Sequence, residues 1–581
     1  RLFDLPESSW SDYDSSLISA GGGVWSRDEK VIHLSPQVQE MLETSETRLA
    51  PHELVRAILR MPVDLLWNGG IGTYVKASTE SNLDVGDRSN DSVRVNGREL
   101  RCRVIGEGGN LGMTQLGRIE FALNDGRLNT DFIDNSGGVD CSDREVNIKI
   151  LLNLAVNREG LTSGRRRKLL ADMTDEVAEH VLRNNYLQTQ AISLLAAGAG
   201  ERINEHAYLI RLLERRGMLD RALEFLPSDE EITERNRSGR GLTRPELSVL
   251  LSYGKMALYG DMITSNVPED EYLGKELISY FPKPLQRRYR ELMSEHRLSR
   301  EIISTLITNS IVNRMGPVFA YRTQDETGAD LGSVARAYAI AREVFDIRSL
   351  WSDIEALDNS VHANAQYSML NRTSRLLKHG THWFLDRPYL VADIAASVSR
   401  FGPAAAEISA SIAETLGGRE LKRFNEAATL YRDIGIPENV ATRMASLHAM
   451  HSALDIVEVA QGASETPPRV AKTYFVLGEN LGLDWLRDQV ERLAVSGRWQ
   501  AMARNSMREN LYLLQGQLTR QIVEEGGRRR SPESAFQIWS ESRAERIKHV
   551  ADIMNELRAD EAMDFPTLSV AIQEVRRLSQ F

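Results

Sequence analysis

The residues whose types and spacing best suit chemistry lie between Arg101 and Val146. Within this stretch, Gly106, Gly108 and Gly112 follow an apolar run of strand length. Glycines after a strand allow a sharp turn and let a pyrophosphate approach the backbone N–H groups at the start of the next helix. The third glycine stands one residue later than in the usual dinucleotide spacing, and no acidic residue closes a following strand. The spacing alone therefore leaves both nucleotide contact and a purely structural turn open.

Two polar side chains near these glycines, Asn110 and Ser142, could serve either to bind a ligand or to stabilise the local backbone. Asn110 could donate its amide to a ligand, or could be there because asparagine tolerates left-handed backbone. Ser142 followed by Glu145 predicts a capping box for a helix that leaves the sheet. A hydroxyl at a helix start beside Gly137 and Gly138 is also well placed to meet a substrate carboxylate. One serine could serve both purposes.

Outside this stretch, two pairs of histidines are the main candidates for metal chemistry. His379 with His382, and His448 with His451, each place two imidazoles three residues apart on one helical face. Neither pair has an obvious third ligand or a glutamate in a zinc-protease pattern, so the sequence predicts no metal site. Phosphate-loop, nucleophile-elbow and kinase signatures are also missing from the sequence. No residue of this chain is assigned a catalytic role.

The elements that must position the glycines and polar residues are predicted from apolar patterning. Residues 101–105 read as a strand, 113–124 as a helix and 131–134 as a second strand, with a glycine turn after each strand. Upstream, a helix over residues 51–60 and a strand over 63–67 that ends on glycines repeat the pattern. Successive units of this kind are typical of a parallel sheet whose ligands collect beyond the carboxyl ends of its strands.

Domain organisation follows from where the strand signals stop. Residues 1–145 are predicted to form an α/β domain, and residues 146–581 a large all-α domain. Residues 227–241 are charged and contain Gly and Ser, which indicates a connector. Thr243 and Glu246 then predict a capping box at the start of the next helix. The expected fold class is α/β followed by all-α.

Composition restricts the partners and the compartment. The formal charge of -11 and the pI of about 5.7 argue against a nucleic-acid partner bound through its phosphates. Two cysteines, Cys102 and Cys141, exclude a disulfide scaffold and favour a reducing, cytoplasmic location. No apolar run approaches the length of a membrane span, so no membrane partner is expected. The opening residues Arg1–Pro6, without an initial Met, suggest a piece of a longer polypeptide.

Several ungapped segments, in order, resemble one enzyme family. Glu107-Gly108-Gly109-Asn110 with Thr114, and Asn135-Ser136-Gly137-Gly138-Val139 with Ser142, are similar to two sequence blocks late in the nucleotide domain of glutamate dehydrogenases. Closer similarity to the large bacterial NAD-specific glutamate dehydrogenases is carried by residues 65–75, 106–115 and 241–247. The resemblance covers essentially the whole chain. It implies that residues 1–145 are the C-terminal part of a Rossmann-like, NAD-binding domain and that residues 146–581 are the helical C-terminal domain.

The resemblance implies oxidation of L-glutamate to 2-oxoglutarate and ammonia, with hydride transfer to NAD. By position, it implies that Asn110 and the loop residues before it contact the nicotinamide side of NAD, together with residues of a neighbouring loop. Val139 and Ser142 are implied to line the glutamate pocket, with the Ser142 hydroxyl on the distal carboxylate. The implied cofactor-binding residues are Asn68, Gly69, Gly70, Glu107, Gly108, Gly109 and Asn110. A homo-oligomer is expected for the complete polypeptide.

The family's catalytic lysine belongs to a substrate domain that no segment of this sequence resembles. The first strand and glycine turn of the nucleotide domain, which hold the pyrophosphate, are not matched either. Hydride transfer needs donor and acceptor carbons held in contact by both domains. The chain alone is therefore expected to be inactive. An alternative function is a helical assembly or regulatory module with a vestigial α/β segment, which the mostly helical region after residue 145 favours.

Overall fold

The computed structural model describes residues 8–495, 497–527, 530–559 and 563–580. Arg1–Pro6, which suggested a longer polypeptide, lie outside the described residues. The chain divides into two compact units between Phe319 and Ala320. Each unit is described below by itself.

The strands of the first unit are short and pair only two at a time. Their bounds are β1 Ile32–His33, β2 Arg48–Leu49, β3 Leu65–Asn68, β4 Val75–Lys76, β5 Val95–Asn96 and β6 Val104–Glu107. β1 pairs with β2 in antiparallel fashion, whereas β3 with β6 and β4 with β5 are parallel. In the β3–β6 pair, Leu65 lies opposite Val104 and Asn68 opposite Glu107.

Helices make up most of the first unit. They are α1 Pro36–Leu42, α2 Pro51–Leu59, α3 Asn82–Val85, α4 Gln115–Leu123, α5 Asp131–Asp134, α6 Ser136–Glu159, α7 Ser163–Asp172, α8 Thr174–Ala197, α9 Ile203–Arg215, α10 Asp229–Arg237, α11 Arg244–Thr264, α12 Gly274–Tyr280, α13 Lys283–Arg288, α14 Arg290–Met293 and α15 Ser299–Met315. Short 3-10 helices occur at Trp10–Asp12, Ser15–Leu17, Arg88–Asn90 and Gly97–Glu99.

The described part of the second unit is helical. Its helices are α16 Phe319–Thr327, which begins at the division, α17 Leu331–Val344, α18 Ile347–Glu355, α19 Ala363–Leu385, α20 Pro388–Val391, α21 Ile394–Ala410, α22 Ile412–Thr415, α23 Gly418–Asp433, α24 Glu438–Met450, α25 Ala453–Ala463, α26 Pro467–Leu481, α27 Leu483–Arg492, α28 Arg498–Gly526, α29 Pro532–Glu541, α30 Ala544–Ala559 and α31 Phe565–Leu578. One core cluster packs leucines of α26, α27 and α28 against Trp539 of α29.

The prediction of a Rossmann-like α/β domain is wrong. Over the described residues, the longest strands have four residues and every sheet has two strands, so the protein is mostly α-helical. A parallel sheet of the predicted kind needs both of its faces covered. Here Leu65 and Trp67 of β3 are more than half exposed. The apolar runs were identified correctly, but they pack as a small patch beside helices and not as an extended sheet.

The strand predicted at residues 131–134 is the short helix α5. Asp131 accepts hydrogen bonds from the backbone N–H groups of Leu111 and Phe132, and Asp134 accepts one from the N–H of Glu107. Carboxylates that bind nearby backbone donors in this way favour turns and helix starts over strands. The two apolar residues of this segment are adjacent and do not alternate, so they carry no strand periodicity.

The domain boundary predicted at residue 145 stays a prediction. Helix α6 runs continuously through it, and the predicted connector over residues 227–241 contains helix α10. The capping box predicted for the next helix is confirmed, because the Glu246 side chain accepts hydrogen bonds from both the backbone N–H and the hydroxyl of Thr243, at 2.6 and 2.8 Å.

The burial of His206 in α9 predicts a pH-dependent stability. Its side chain is 1% exposed, its Nδ1 has no hydrogen-bond partner among the described residues, and burial, helped by the charge of Arg202, lowers its pKa to about 4. The unfolded chain binds this proton below about pH 6.5 and the folded chain does not, so the free energy of unfolding falls as the pH drops from about 6.5 toward 4. Between about pH 7.5 and pH 5 the expected loss is about 2 kcal/mol.

Urea unfolding of the unsubstituted chain and of His206→Leu at both pH values measures this contribution. The variant should lose about 2 kcal/mol less than the unsubstituted chain on acidification, whatever its absolute stability. His549→Leu, at a histidine whose side chain is 63% exposed, is the matched control and should leave the difference unchanged. Equal pH dependence in all three proteins would contradict the assignment.

Candidate functional site

The two glycine loops predicted to bind the cofactor lie side by side. β3 and β6 run parallel, so the loops that follow them leave the same end of the strand pair. The carbonyl oxygen of Asn68 accepts hydrogen bonds from the N–H groups of Gly108 and Gly109, at 2.9 and 3.1 Å. The structure therefore brings Asn68–Gly70 and Glu107–Asn110 together.

Glycine is needed in these loops for close packing between them. A Cβ atom at Gly109 would lie 2.4 Å from the carbonyl oxygen of Gly70, and one at Gly112 would lie 1.9 Å from Nδ2 of Asn68. Both distances are far below van der Waals contact. A larger residue at Gly109 requires a shift of the backbone, whereas one at Gly112 requires the Asn68 side chain to move. The late third glycine at 112 thus has a steric reason of its own.

Glu107 lies beneath the second loop in a buried ionic network. Its carboxylate accepts two hydrogen bonds from Arg118 of α4, Nε to Oε2 at 2.7 Å and Nη2 to Oε1 at 2.9 Å. Nη2 of Arg118 also lies 3.2 Å from Oδ1 of Asp131. The side chains of Glu107 and Arg118 are 1% and 5% exposed. Both oxygens of Glu107 accept hydrogen bonds from Arg118, so this side chain ties the loop to α4. The cofactor contact predicted for Glu107 stays a prediction.

Burial sets the protonation behaviour of this network. It raises the pKa of Glu107, the charges of Asp131 and Asp134 act in the same direction, and the Arg118 guanidinium opposes them. Burial also raises the pKa of Asp134, which accepts a hydrogen bond from Asn129 at 2.9 Å. The carboxylates of Glu107, Asp131 and Asp134 therefore surround the Arg118 guanidinium in a hydrogen-bonded network beneath the loop.

Asn110 is exposed at the tip of the second loop. Its Oδ1 accepts a hydrogen bond from Nδ2 of Asn135, which also donates to the carbonyl oxygen of Gly109 at 3.0 Å. The left-handed backbone considered for Asn110 occurs instead at Leu111, with φ of 57°. Asn110 therefore has no left-handed backbone to explain the asparagine, and its side chain belongs to an exposed residue.

Val139 and Ser142 both lie on α6, three residues apart and thus on one face of the helix. Val139 is 68% exposed, and Ser142 is exposed as well. The helix begins at Ser136, so the capping box predicted for Ser142 and Glu145 is wrong, and Glu145 instead forms an ion pair with Lys149 one turn later. Ser142 therefore does not cap the helix, and of the two roles considered for its hydroxyl, contact with a substrate remains.

Asn135 joins the two parts of the candidate site. It directly precedes α6 and bonds to the loop at Gly109 and Asn110, so the first turn of α6 is tied to the second glycine loop. From Asn135 to Ser142 the helix rises about 10 Å. Arg118, Asp131 and Asn135 fix this geometry, and none of them is assigned such a role from the sequence. Their only signal was an excess of Asp and Asn around residues 129–135.

The histidine pairs of the second unit meet across elements and not within them. His379 of α19 and His451 at the end of α24 have ring centroids 5.2 Å apart, and Nε2 of His379 lies 2.9 Å from the carbonyl oxygen of His451. Nδ1 of His379 lies 3.2 Å from Glu509. Over the described residues, no group of three or more His, Cys, Asp or Glu side chains is arranged to hold a metal ion.

A search of the described helices for membrane spans found none that is long and apolar enough to cross a bilayer. The cytoplasmic location inferred from the cysteines stays a prediction.

Two family models match the chain. The model described as "Bacterial NAD-glutamate dehydrogenase, catalytic domain" matches residues 1–195, which contain the two glycine loops and α6. The model described as "Glutamate dehydrogenase, C-terminal" matches residues 239–577, which contain most of the helices.

Individual proteins are similar to the chain over its whole length. Proteins named NAD-specific glutamate dehydrogenase are 45% identical in Halomonas elongata, 45% in Pseudomonas aeruginosa and 38% in Mycobacterium tuberculosis. Each alignment covers 100% of this chain but 36% of the relative, so the chain spans about a third of the length of these proteins. Since the C-terminal model alone covers more than half of the residues, the chain belongs to the glutamate dehydrogenase family.

Proposed function

We propose that this chain supplies the nicotinamide and glutamate contacts of an NAD-dependent glutamate dehydrogenase. The reaction is the oxidative deamination of L-glutamate to 2-oxoglutarate and ammonia. The observation that carries the proposal is the meeting of the two glycine loops beside the first turn of α6, with Asn110, Val139 and Ser142 all exposed there. The names of the similar proteins support both the substrate and the cofactor.

NAD fits the residues at these loops. Parallel strands bind ligands beyond their carboxyl ends, where β3 and β6 both open into glycine turns. Asn68, Gly69 and Gly70 would line one side of the nicotinamide and its ribose, and Gly108, Gly109 and Asn110 the other. Glu107 would contribute indirectly, because its ion pair with Arg118 holds the second glycine loop in position. When bound, NAD supplies the acceptor for the hydride of glutamate.

Glutamate would lie against α6. Val139 offers an exposed apolar surface for the methylene groups, and the Ser142 hydroxyl can donate to the distal carboxylate. The two side chains share a helix face, so they can contact one extended substrate together. The carboxylates of Glu107 and Asp131 pair with Arg118, which limits their repulsion of an anionic substrate, and Asp140 of α6 pairs with Arg144.

Part of the proposal is that the catalytic lysine lies outside these residues, in the longer polypeptide of the family. The exposed apolar side chains on one face of the β3–β6 pair support this, because Leu65, Trp67 and Val104 are 56%, 60% and 38% exposed. Large apolar side chains grouped on one face of a sheet usually contact another element. The isolated chain is then expected to show no glutamate-dependent NADH production, and the complete polypeptide to be the active homo-oligomer.

Steady-state kinetics of the complete polypeptide tests the two contacts separately. Asn110→Ala should raise the KM for NAD about tenfold, as expected for one lost hydrogen bond, and leave the KM for glutamate unchanged. Ser142→Ala should raise the KM for glutamate about tenfold and leave the KM for NAD unchanged. Asn124→Ala and Ser163→Ala, at exposed positions of neighbouring helices, are the controls. If Asn110→Ala and Ser142→Ala behave like the controls, these residues do not form the site.

A further inference from the structure

The second unit contains two adjoining cavities that the proposed dehydrogenase site does not use. The larger has a volume of about 590 Å³ and is lined by residues of α19, α27 and α28 and by His448 and His451. The smaller, of about 350 Å³, adds residues of α23. Arg375, His448 and His451 line both, so the two spaces adjoin. We call them together the cationic cavity. A space of this size suits a small-molecule ligand.

Basic side chains predominate in the cationic cavity. Among the described residues, the larger space is lined by five Lys or Arg and two Asp or Glu side chains. The five cations are Arg375, Lys378, Arg487, Arg504 and Arg508. The described lining of the smaller space includes Arg372, Arg375 and Arg423 and no carboxylate. This excess of positive charge lies in a protein whose overall charge is -11.

The two carboxylates at the cationic cavity already have partners. Asp488 accepts hydrogen bonds from Arg423 at 2.7 Å and from Arg419 at 3.0 Å. Glu491 lies 3.2 Å from Arg508. Three cations of the lining also have other acidic neighbours: Lys378 lies 3.3 Å from Glu326, Arg508 lies 3.1 Å from Glu509 and Arg487 lies 3.8 Å from Glu420. Among the described residues that line the larger space, Arg375 and Arg504 are the cations without a carboxylate partner.

Two arginines of the lining have unused donors. Arg375 has no hydrogen bond or ion pair with any described residue. Arg504 donates one Nη group to the carbonyl oxygen of Leu493 at 3.3 Å, while its buried Nε has no partner among the described residues. A buried, unpaired guanidinium nitrogen is costly unless a ligand or water satisfies it. These donors come from α19 and α28, on two sides of the space.

The wall behind these arginines is packed and aromatic. The His451 ring stacks on Tyr512, with centroids 6.4 Å apart and planes 17° from parallel, and the His379 centroid lies 5.0 Å from that of Tyr512. The pKa of His451 is lowered well below its usual value, first by burial and then by the charges of His379, His448 and Arg508. The histidine thus experiences a positive field in a poorly solvated wall, where the attraction of an anion is strengthened.

We propose that the cationic cavity binds a small polyanion that carries two or more phosphate or carboxylate groups. Arginine forks match both kinds of group with paired N–H donors, and they are positioned here on helices before any ligand arrives. Arg375 and Arg504 would each contact a different anionic group of the same ligand. This inference is independent of the proposed dehydrogenase reaction, because all of the residues that carry it lie in the second unit.

Calorimetric titration of the whole chain at about 150 mM NaCl tests the inference. The probes are inorganic tripolyphosphate and, separately, propane-1,2,3-tricarboxylate. We expect saturable binding of at least one probe with a Kd below about 1 mM. Arg375→Gln and Arg504→Gln should each weaken it about tenfold, since each removes a charge-assisted contact. Arg577→Gln, which removes an exposed charge elsewhere in the unit, is the matched control and should bind normally.

The two probes identify the chemistry of the ligand. Tighter binding of tripolyphosphate assigns the cavity to phosphorylated compounds, and tighter binding of the tricarboxylate assigns it to organic acids. Circular dichroism of each variant without ligand verifies that it is folded, and Lys378→Gln replaces any variant that is not. The proposal is overturned if neither probe saturates, or if Arg375→Gln and Arg504→Gln bind as tightly as Arg577→Gln.

Discussion

Replacing Arg118 by Met is expected to lower the free energy of unfolding of the first unit by about 3–5 kcal/mol. The substitution keeps most of the side-chain volume but removes the guanidinium that bonds Glu107 at 2.7 and 2.9 Å and approaches Asp131 at 3.2 Å. Two carboxylates would then remain in the interior without a positive partner. Such uncompensated charges cost far more than the intact pair contributes.

The matched control for this prediction is Arg103→Met. Arg103 also forms an ion pair, with Asp64 at 3.1 Å, but the two side chains are 81% and 88% exposed. Solvent screens such pairs, so the expected change is below about 1 kcal/mol. Hydrogen exchange of peptides that cover residues 104–135, followed by mass spectrometry, compares the local stability of the two variants. Equal protection in both would show that the buried network does not hold the second glycine loop.

Replacing Glu246 by Ala is expected to have an effect of similar size at the start of α11. The carboxylate accepts from Thr243 as part of a capping box and also forms two bonds to Arg235, at 2.8 and 2.9 Å. Its side chain is 1% exposed and that of Arg235 is 17% exposed. Removal leaves both a buried guanidinium and an uncapped helix, and we expect a loss of about 3–5 kcal/mol.

The chain provides a second capping box as the control. Glu231 accepts from the N–H of Ser228 at 2.7 Å at the start of α10, but it is exposed. Glu231→Ala should therefore cost only the cap, about 1 kcal/mol. Urea unfolding followed by far-ultraviolet circular dichroism gives both values. A similar loss in the two variants would mean that the ion pair with Arg235 adds nothing to the cap.

Features that depend on a few neighbouring residues were predicted from the sequence. Pro51 begins α2, and Thr243 with Glu246 begins α11. In each case a proline ring or a side-chain oxygen acts on backbone groups within one helical turn, so the signal and the structure occupy the same residues. The glycine loop after β3 is placed correctly from the sequence, whereas β6 extends over Gly106 to Glu107, two residues beyond the predicted end of the strand.

The errors arose where a local pattern admitted two structures. The apolar pair at Phe132 and Ile133 suits a strand or a helix, and the carboxylates of Asp131 and Asp134 decided for a helix by binding the second glycine loop. The Ser142 and Glu145 spacing occurs in the interior of a helix as readily as at its start. The expected sheet does not extend, because beyond the β3–β6 pair the described residues add only a single bridge, between Val104 and Arg127.

The sequence by itself determined the family resemblance, the helix caps and the positions of the glycine turns, since each depends on residues close together in the chain. Only the tertiary structure decided that Gly109 packs on Gly70 and that the Glu107 carboxylate pairs with Arg118. It also decided that Asn135 ties α6 to the second glycine loop through hydrogen bonds. It also gathered arginines from Arg372 to Arg508 around one cavity. Burial and the choice of ionic partner depend on contacts between distant segments, and local patterns do not encode those contacts.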